Sequence, residues 1–237
     1  MDNEGLIAAL RNKPGLRLGV MGGCFDPIHI AHLVAAEEAL ALFELDQVVF
    51  MPAGNTPHKG RPVAPAEFRY LLVAVATANN PRFSVSRFEV DRQEVCYTVD
   101  TLEYLASVTP PDTRMFFITG ADAVLDILSW KNPGRLLELA TFIAATRPGY
   151  DLSRLSGLLS ELTRRAPGVA VEERVKVMEI PALAISSSMV RERLAAGKPV
   201  KYLVPEVVAE LIEKSGFYSR QQDHGFQGLP KATSPQG

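Results

Sequence analysis

Two histidines three positions apart, His29 and His32, stand just after a glycine pair and an Asp-Pro step. The stretch reads Gly22-Gly23-Cys24-Phe25-Asp26-Pro27-Ile28-His29-Ile30-Ala31-His32. On a helix, residues with this spacing share one face. Each imidazole can donate a hydrogen bond, and each gains proton affinity beside a dianion. Two imidazoles at the start of a helix are therefore suited to binding a polyphosphate.

An apolar stretch at residues 18–21 precedes the glycines, and an amphipathic stretch at residues 33–43 follows the histidines. This pattern predicts a strand, a tight glycine turn and the N-terminus of a helix. Glycines let a ligand approach the backbone closely, and the unpaired N–H groups of a helix start point at it. The sequence therefore predicts an anion site at this junction.

A metal site is the main alternative for the two histidines. Zinc would need further ligands, but the chain has four histidines and two cysteines in all, and Cys24 and Cys96 have no paired spacing. A glycine pair after a strand also occurs in ordinary turns. The assembled motif in its strand–turn–helix setting is far more specific than any one of its parts.

The stretch resembles G-G-x-F-D-P-x-H-x-x-H, the signature of the nucleotidyltransferase superfamily, whose members transfer a nucleotidyl group from a nucleoside triphosphate. It is most similar to the form found in the bacterial nicotinate-nucleotide adenylyltransferases of NAD synthesis. Two positions differ: Cys24 stands where this family usually has Thr or Ser, and Ala31 where it usually has Gly. The first change removes a hydroxyl but leaves a backbone N–H contact available, and the second adds one methyl group. Neither removes a group that the chemistry needs.

The resemblance continues in the segments that would bind the nucleotide acceptor. Asn55, His58 and Lys59 follow the predicted strand at residues 47–51 in the family's Asn-x-Pro-His-Lys pattern. Taken alone, this segment would be a solvated loop with incidental charge. The resemblance implies instead that the three side chains contact the acceptor, with Lys59 reaching a phosphate.

A helix start and a lone tryptophan complete the implied acceptor site. Cys96-Tyr97-Thr98-Val99-Asp100-Thr101 resembles the family element whose backbone N–H groups hold the nicotinate carboxylate, although helix capping alone would also explain Thr98 and Asp100. Trp130 is the only tryptophan, and polar residues flank it. A lone tryptophan is usually a core residue, but in the family the tryptophan at this point stacks on the pyridine ring.

Three segments resemble the family's ATP site. Asp122 follows the predicted strand at residues 114–119 and Gly120, and it is either a ribose ligand or a helix cap. Arg147 begins an Arg-Pro-Gly turn that lies near the adenine in the family. Ser187, Ser188 and Arg191 match the family's Ile-Ser-Ser-Thr-x-x-Arg motif and are suited to a triphosphate. Alone, that motif would be a serine-capped helix with an exposed arginine.

Carried over residue by residue, the resemblance implies a catalytic set of His29, His32 and Arg191. The implied ATP-binding set is Gly22, Gly23, Cys24, Phe25, His29, His32, Gly120, Asp122, Arg147, Ser187, Ser188 and Arg191. The implied set for nicotinate mononucleotide is Asp26, Asn55, His58, Lys59, Tyr97, Thr98 and Trp130. Mg²⁺ is the expected cofactor, held mainly by phosphates and water rather than by protein ligands, with Asp26 as a candidate contact for the hydrated ion or the acceptor phosphate.

Composition limits the classes of partner. The chain has 237 residues, of which 47% are hydrophobic, and a formal net charge of −2. Nothing therefore indicates a general nucleic-acid or membrane surface, and the expected partners are small molecules. The two cysteines are distant in sequence, the acidic N-terminus lacks the apolar core of a signal peptide, and no apolar run is long enough to span a membrane. These features predict a cytoplasmic protein. Homo-oligomerisation is left open.

Alternation of predicted strands and helices indicates an α/β fold with a doubly wound parallel sheet, Rossmann-like as in the nucleotidyltransferases. The expected strands include an edge strand at residues 83–90 and others near residues 141–146 and 175–180. Residues 17–218 are expected to form the nucleotidyltransferase domain, with the last helices as a small C-terminal lobe. Residues 1–16 are expected to be a weakly ordered extension, and residues 219–237 a disordered tail.

The resemblance implies adenylyl transfer from ATP to nicotinate mononucleotide, giving deamido-NAD and pyrophosphate. Three alternatives are open. A phosphopantetheine adenylyltransferase shares the first motif but lacks the Tyr-Thr-x-Asp-Thr element. An enzyme that prefers the amide mononucleotide would share nearly every motif, and only the donors near Thr98 would decide. A non-catalytic nucleotide sensor would have no need of His29, His32 and Arg191.

Overall fold

The computed structural model of the chain describes residues 3–55, 64–181 and 183–218. Within these ranges one sheet runs in the order β3-β2-β1-β4-β5-β6, and every neighbouring pair is parallel. Its strands are β1 (Arg17–Gly23), β2 (Gln47–Pro52), β3 (Phe83–Val85), β4 (Arg114–Gly120), β5 (Ala140–Thr146) and β6 (Val175–Glu179). The predicted doubly wound parallel sheet is confirmed.

Helices connect the strands and cover both faces of the sheet. They are α1 (Asn3–Arg11), α2 (Ile30–Leu42), α3 (Ala66–Thr77), α4 (Thr98–Val108), α5 (Ala121–Leu125), α6 (Pro133–Leu139), α7 (Ser153–Arg165), α8 (Val171–Arg174), α9 (Ser187–Ala195) and α10 (Glu206–Ser215). A 3₁₀ turn, Ile127–Ser129, follows α5. In the described ranges, no helix combines the length and apolar character that crossing a membrane requires.

Alternating side chains of the central strands fill two separate hydrophobic clusters. Val20 and Val49 belong to the cluster on one face, whereas Met21 and Phe50 belong to the cluster on the other. This period of two is the pattern of a strand that is buried on both faces. The strand order reverses between β1 and β4, so their carboxyl ends open the crevice in which such sheets bind ligands.

The N-terminal segment is more ordered than its sequence indicates. Helix α1 places Leu6 and Leu10, which are one turn apart, in the same cluster as Val20, with 2% and 1% exposure. The expectation of weak order was wrong for residues 3–16, because these leucines and Leu16 are buried against the domain. The division of the chain into extension, domain and lobe stays a prediction, and residues 219–237 lie outside the described ranges.

Strand β3 lies at the sheet edge as predicted, but it ends at Val85 rather than residue 90. Helix α3, which follows β2, buries Leu72 and Ala76, while Leu71 is 43% exposed. Arg69 occupies the buried face in its place. At the C-terminus α10 packs against α3, and the ring of Phe217 lies 4.8 Å from that of Phe68.

Candidate active site

Two cavities open at the carboxyl ends of β1 and β4, and Gly22 and Thr119 line both of them. The histidine cavity has a volume of about 440 Å³ and is lined by the predicted ATP-site residues Gly22, His29, His32, Gly120, Asp122 and Arg147. The tryptophan cavity has a volume of about 600 Å³ and is lined by the predicted acceptor-site residues Tyr97, Thr98 and Trp130. Gly23 and Cys24, which the resemblance assigns to ATP, line this cavity and not the histidine cavity. The fold therefore brings most of the predicted residues to two adjoining sites.

The two histidines form a stacked pair at the start of α2. Their ring centroids are 3.7 Å apart at an interplanar angle of 22°. His29 is the N-cap residue, and its backbone N–H donates to Nδ1 of His32 over 3.2 Å. When neutral, His32 must therefore carry its ring proton on Nε2, which leaves that atom as a donor. Phe25 packs edge-on against the pair, with its ring centroid 5.1 Å from that of His32.

Burial keeps both imidazoles neutral near pH 7. It lowers the pKa of His29 to about 4. It also lowers the pKa of His32 well below its usual range, with a smaller contribution from His29. Nδ1 of His29 is buried and has no hydrogen-bond partner among the residues described. The pair can therefore bind an anion through uncharged ring N–H groups, and its proton affinity would rise beside a phosphate.

Helix α9 docks on the glycine-rich turn through the predicted triphosphate residues. Arg191 donates from Nη1 to the carbonyl of Asp26 (2.7 Å) and from Nη2 to the hydroxyl of Ser188 (3.1 Å). The hydroxyl of Ser187 donates to the carbonyl of Pro27 over 2.8 Å. Ser186 caps the helix and lines the histidine cavity. The structure thus joins the second motif to the first, although Ser187, Ser188 and Arg191 line neither cavity.

The far end of the histidine cavity is shaped by the strand ends. Gly120 has open space above its Cα, since a Cβ there would meet no atom of the described structure within 4 Å. Asp122 is exposed and accepts a hydrogen bond from the hydroxyl of Tyr150, which also lines the cavity. Sequence reasoning missed Tyr150, because an aromatic residue three positions after Arg147 has no distinctive signal.

Aromatic rings line one wall of the tryptophan cavity. Trp130 is half-buried and packs edge-on against Phe117 and Phe142, with centroid distances of 6.0 and 6.1 Å. The start of α4 also lines the cavity, and Tyr97 is its N-cap residue. Asp100 accepts the backbone N–H of Tyr97 over 3.0 Å and pairs with Lys131. Capping by Asp100 therefore coexists with a helix start that faces the cavity.

Glu89 is a cavity residue that sequence reasoning missed. Its side chain is buried and accepts a hydrogen bond from the hydroxyl of Thr101 over 2.6 Å. Burial raises its pKa to about 7. Both cysteines line the same cavity, and burial raises the pKa of each thiol. No local pattern distinguishes Glu89 from a surface residue of an edge strand.

Some predicted residues lie away from the cavity walls. Phe25 is buried beneath His32. The buried Asp26 accepts hydrogen bonds at Oδ1 from the hydroxyl of Tyr218 (2.8 Å) and the backbone of Ala64 (3.2 Å). Asn55 is exposed and donates to the carbonyl of Gln93 over 2.6 Å. His58 and Lys59 lie outside the described residues.

A protein cage for a metal ion is absent from the described ranges. Within them, no group of three or more His, Cys, Asp or Glu side chains is arranged to hold a metal ion. Mg²⁺ commonly keeps several water ligands and binds through substrate phosphates. The expectation that Mg²⁺ is held mainly by phosphates and water stays a prediction.

The chain is similar to known proteins along most of its length. A family model described as cytidylyltransferase-like matches residues 20–193. A relative from Moorella thermoacetica is 48% identical over 219 residues, which cover 92% of this chain and 98% of the relative. A relative from Leifsonia xyli is 50% identical over 209 residues, covering 88% and 97%. Each bears the name "Probable nicotinate-nucleotide adenylyltransferase".

Solved structures are similar in fold. A nicotinic acid mononucleotide adenylyltransferase of Plasmodium falciparum, in complex with NaAD, superposes with a TM-score of 0.67. The match covers 86% of this chain and 97% of that one, at 20% sequence identity. At that identity the likeness supports the fold, and the sequence relatives carry the family assignment.

Proposed function

We infer the activity of this chain from its family, since it belongs to the nicotinate-nucleotide adenylyltransferases. The reaction is adenylyl transfer from ATP to nicotinate mononucleotide, which gives deamido-NAD and pyrophosphate. The observation that carries the assignment is the pair of adjoining cavities, one lined by the histidine motif and the other by Tyr97, Thr98 and Trp130. Gly22 and Thr119, which line both, mark where the two substrates would meet.

The chemistry needs alignment more than it needs a strong base. The phosphate of the mononucleotide is already a nucleophile, so no covalent enzyme intermediate is required. The chain must hold this phosphate in line with the α-phosphorus of ATP and stabilise the charge that develops on the transferred group. The ring N–H groups of His29 and His32 are the donors that we assign to those oxygens.

The β- and γ-phosphates are assigned to the start of α9. Ser187, Ser188 and Arg191 offer two hydroxyl groups and a guanidinium there, and charge-assisted hydrogen bonds to phosphate are strong. In the described structure these groups bond to the glycine-rich turn and to one another. Binding of the triphosphate tail would exchange some of those bonds for bonds to phosphate oxygens.

Mg²⁺ is the cofactor that we propose, bound mainly by phosphates and water. When bound, it neutralises charge on the triphosphate and so favours departure of pyrophosphate. The contact between Asp26 and the hydrated ion or the acceptor phosphate stays a prediction. Its Oδ1 is already bonded to Tyr218 and Ala64, so loss of activity in Asp26→Ala would need the Tyr218→Phe variant as a structural control.

Nicotinate is preferred over nicotinamide in this proposal, because an anionic carboxylate is favoured at the start of α4. The small-molecule substrates and the two unpaired cysteines fit a reducing, cytoplasmic location. Oligomeric state does not enter the proposal.

The test measures pyrophosphate release with ATP and Mg²⁺, comparing nicotinate mononucleotide with nicotinamide mononucleotide. A strong preference for the acid is the expected result. Equal use of both would make the enzyme dual in specificity and would contradict a carboxylate site at Thr98. If neither mononucleotide is used, phosphopantetheine is tested as the acceptor. Turnover of phosphopantetheine alone would support the alternative transferase, and turnover of no acceptor would support the nucleotide sensor.

A further inference from the structure

Arg69 of α3 is a fully buried cation whose guanidinium donates hydrogen bonds to four backbone carbonyls. Its exposure is 1%. Nε donates to Ala64 (3.1 Å), Nη1 to Cys24 (2.5 Å), and Nη2 to Ala53 (2.6 Å) and Gly54 (3.2 Å). One guanidinium therefore joins the turn after β1, the turn after β2 and the segment that leads into α3.

Those turns form part of the tryptophan cavity. Gly23, Cys24 and Ala53 all line it. The N–H of Ala53 also donates to the carbonyl of Gly23 over 2.9 Å, so the two strand ends are linked directly as well. Arg69 does not line the cavity itself. It lies behind the two turns and sets the distance between them.

Holding the carbonyls also sets the direction of the neighbouring N–H groups. In a planar trans peptide, a carbonyl and the N–H of the next residue point in opposite directions. The carbonyls of Cys24 and Ala53 point at Arg69, so the N–H groups of Phe25 and Gly54 point away from it. The guanidinium thereby orients backbone dipoles beside the cavity.

The backbone around these turns is closely packed, so the turns have little room to adopt another conformation. A Cβ on Gly54 would lie 2.1 Å from the carbonyl oxygen of Glu89, so this turn is in close backbone contact with the segment after β3. A buried charge is costly unless it is fully hydrogen-bonded, and an apolar side chain would suit the core better. The guanidinium at this position therefore needs a reason beyond filling the core.

We propose that Arg69 is a positioning residue for the acceptor: it holds the turns at Cys24 and Ala53–Gly54 in the arrangement that binds the mononucleotide. It acts through the backbone and does not touch substrate. The proposal rests on the proposed function, because it assigns the tryptophan cavity to the mononucleotide. It implies that loss of the guanidinium affects the acceptor much more than ATP.

The test replaces Arg69 with methionine, which retains length and apolar volume but makes no hydrogen bonds to the carbonyls. We expect kcat/KM for nicotinate mononucleotide to fall by about 10- to 100-fold, as for a displaced binding group. KM for ATP should stay within about twofold, because the histidine cavity keeps its walls. Arg69→Lys, with one ammonium for four carbonyls, should give an intermediate loss.

Arg17 offers a control at the amino end of the parallel strands, because it is the first residue of β1. Its half-buried guanidinium also bonds to backbone carbonyls, those of Phe43 (2.8 Å) and Glu44 (3.2 Å). Arg17→Met should lower the unfolding temperature but leave both KM values within about twofold of wild type. The comparison separates loss of hydrogen bonds from a guanidinium to backbone carbonyls from loss of the acceptor site.

If Arg69→Met changes KM for ATP and KM for nicotinate mononucleotide equally, the positioning role is overturned. The same holds if its changes are no larger than those of Arg17→Met. In either case, an active wild-type enzyme leaves the proposed function intact. If Arg69→Met does not fold, the same comparison is made with Arg69→Lys, and an unchanged KM for the mononucleotide there also overturns it. Wild-type protein that fails to turn over the mononucleotide overturns both proposals.

Discussion

The histidine cavity and the tryptophan cavity share Gly22 and Thr119, yet burial acts on opposite kinds of group in them. In the histidine cavity it lowers the pKa values of two bases, His29 and His32. In the tryptophan cavity it raises the pKa values of acids, Glu89 and both thiols. Desolvation favours the uncharged form in every case. Burial therefore opposes ionisation of these five groups, while acidic and basic side chains line each cavity as well: Asp122 and Arg147 in the histidine cavity, Asp126 and Lys131 in the tryptophan cavity.

The two cavities differ in the uncharged groups that they present to a substrate. The histidine cavity presents ring N–H donors, which stabilise charge on phosphate oxygens. The tryptophan cavity presents aromatic rings and a helix start, which suit a flat ring with a carboxylate. Loss of a donor should therefore reduce turnover, whereas loss of a ring should weaken acceptor binding.

The largest effect is expected from the histidines. His29→Ala and His32→Ala should each lower kcat by about 10²- to 10³-fold, as removal of one preorganised donor does elsewhere. KM for nicotinate mononucleotide should change little, since neither ring lines the tryptophan cavity. Steady-state pyrophosphate release measures both quantities. His29→Asn, which retains a side-chain N–H, should recover part of the loss.

The pH profile tests the charge state of that pair. Because burial lowers the pKa of His29 to about 4, the free enzyme holds it neutral at pH 6–8. The wild-type kcat/KM for ATP should therefore show no histidine-dependent fall between pH 6 and pH 8. A fall across this window that disappears in His29→Ala would mean that the imidazolium is the active form.

Glu89→Gln tests whether burial raises the pKa of Glu89 in the tryptophan cavity. The folded pKa of about 7 lies above the usual 4.5, so the native state binds more protons than the unfolded state between these values. Stability is therefore lost as pH rises from 4.5 to 7, by up to about 3 kcal/mol. Glutamine keeps an acceptor for Thr101 and does not ionise. The variant should gain stability relative to wild type at pH 8, but not at pH 4, in urea unfolding.

A half-buried glutamate whose pKa is shifted in the opposite direction, Glu161 of α7, serves as the control. Hydrogen bonds from Arg164 and Arg165 lower the pKa of Glu161 to about 2. Its stabilising contribution is present above pH 4.5 and is lost only as pH falls towards 2. The difference between wild type and Glu161→Gln should therefore be constant from pH 5 to pH 8. A constant difference for Glu89→Gln as well would contradict the raised pKa.

Trp130→Ala is expected to have a smaller and more selective effect. Loss of the stacking surface should raise KM for nicotinate mononucleotide by about tenfold, the equivalent of about 1.4 kcal/mol. KM for ATP should remain unchanged, and Trp130→Phe should restore most of the affinity. Equal losses for both substrates would show that Trp130 supports the core through Phe117 and Phe142 rather than the acceptor.

The fold was predictable because its signals are local. Apolar runs ending in glycine or proline mark the central strands, and the order of motifs fixed their parallel arrangement. Helix α1 was underestimated since short helices have little stability alone, and only tertiary contacts of Leu6 and Leu10 hold it.

The supporting residues of the site were less predictable. Arg69 falls on the apolar face of α3, with Leu72 and Ala76 one and two turns on, and that placement was a usable signal. Its acceptors, however, lie up to 45 positions away in sequence, at Cys24. Glu89 gave no signal, because its burial depends on Thr101 and on the backbone contact at Gly54. Burial of a charge depends on distant partners that a local pattern does not contain.

The smallest effect is expected from the two cysteines that line the tryptophan cavity. Cys24→Ser and Cys96→Ser should each change kcat/KM for nicotinate mononucleotide by less than about threefold, or ~0.7 kcal/mol. Both thiols are held protonated by burial, and the carbonyl of Cys24 is fixed by Arg69 whatever its side chain. The contacts that we assign to this turn come from backbone N–H groups, which serine leaves in place. A gain above tenfold in Cys24→Ser would show that a side-chain hydroxyl contributes to the acceptor site, and would shift the balance in the tryptophan cavity from backbone to side-chain recognition.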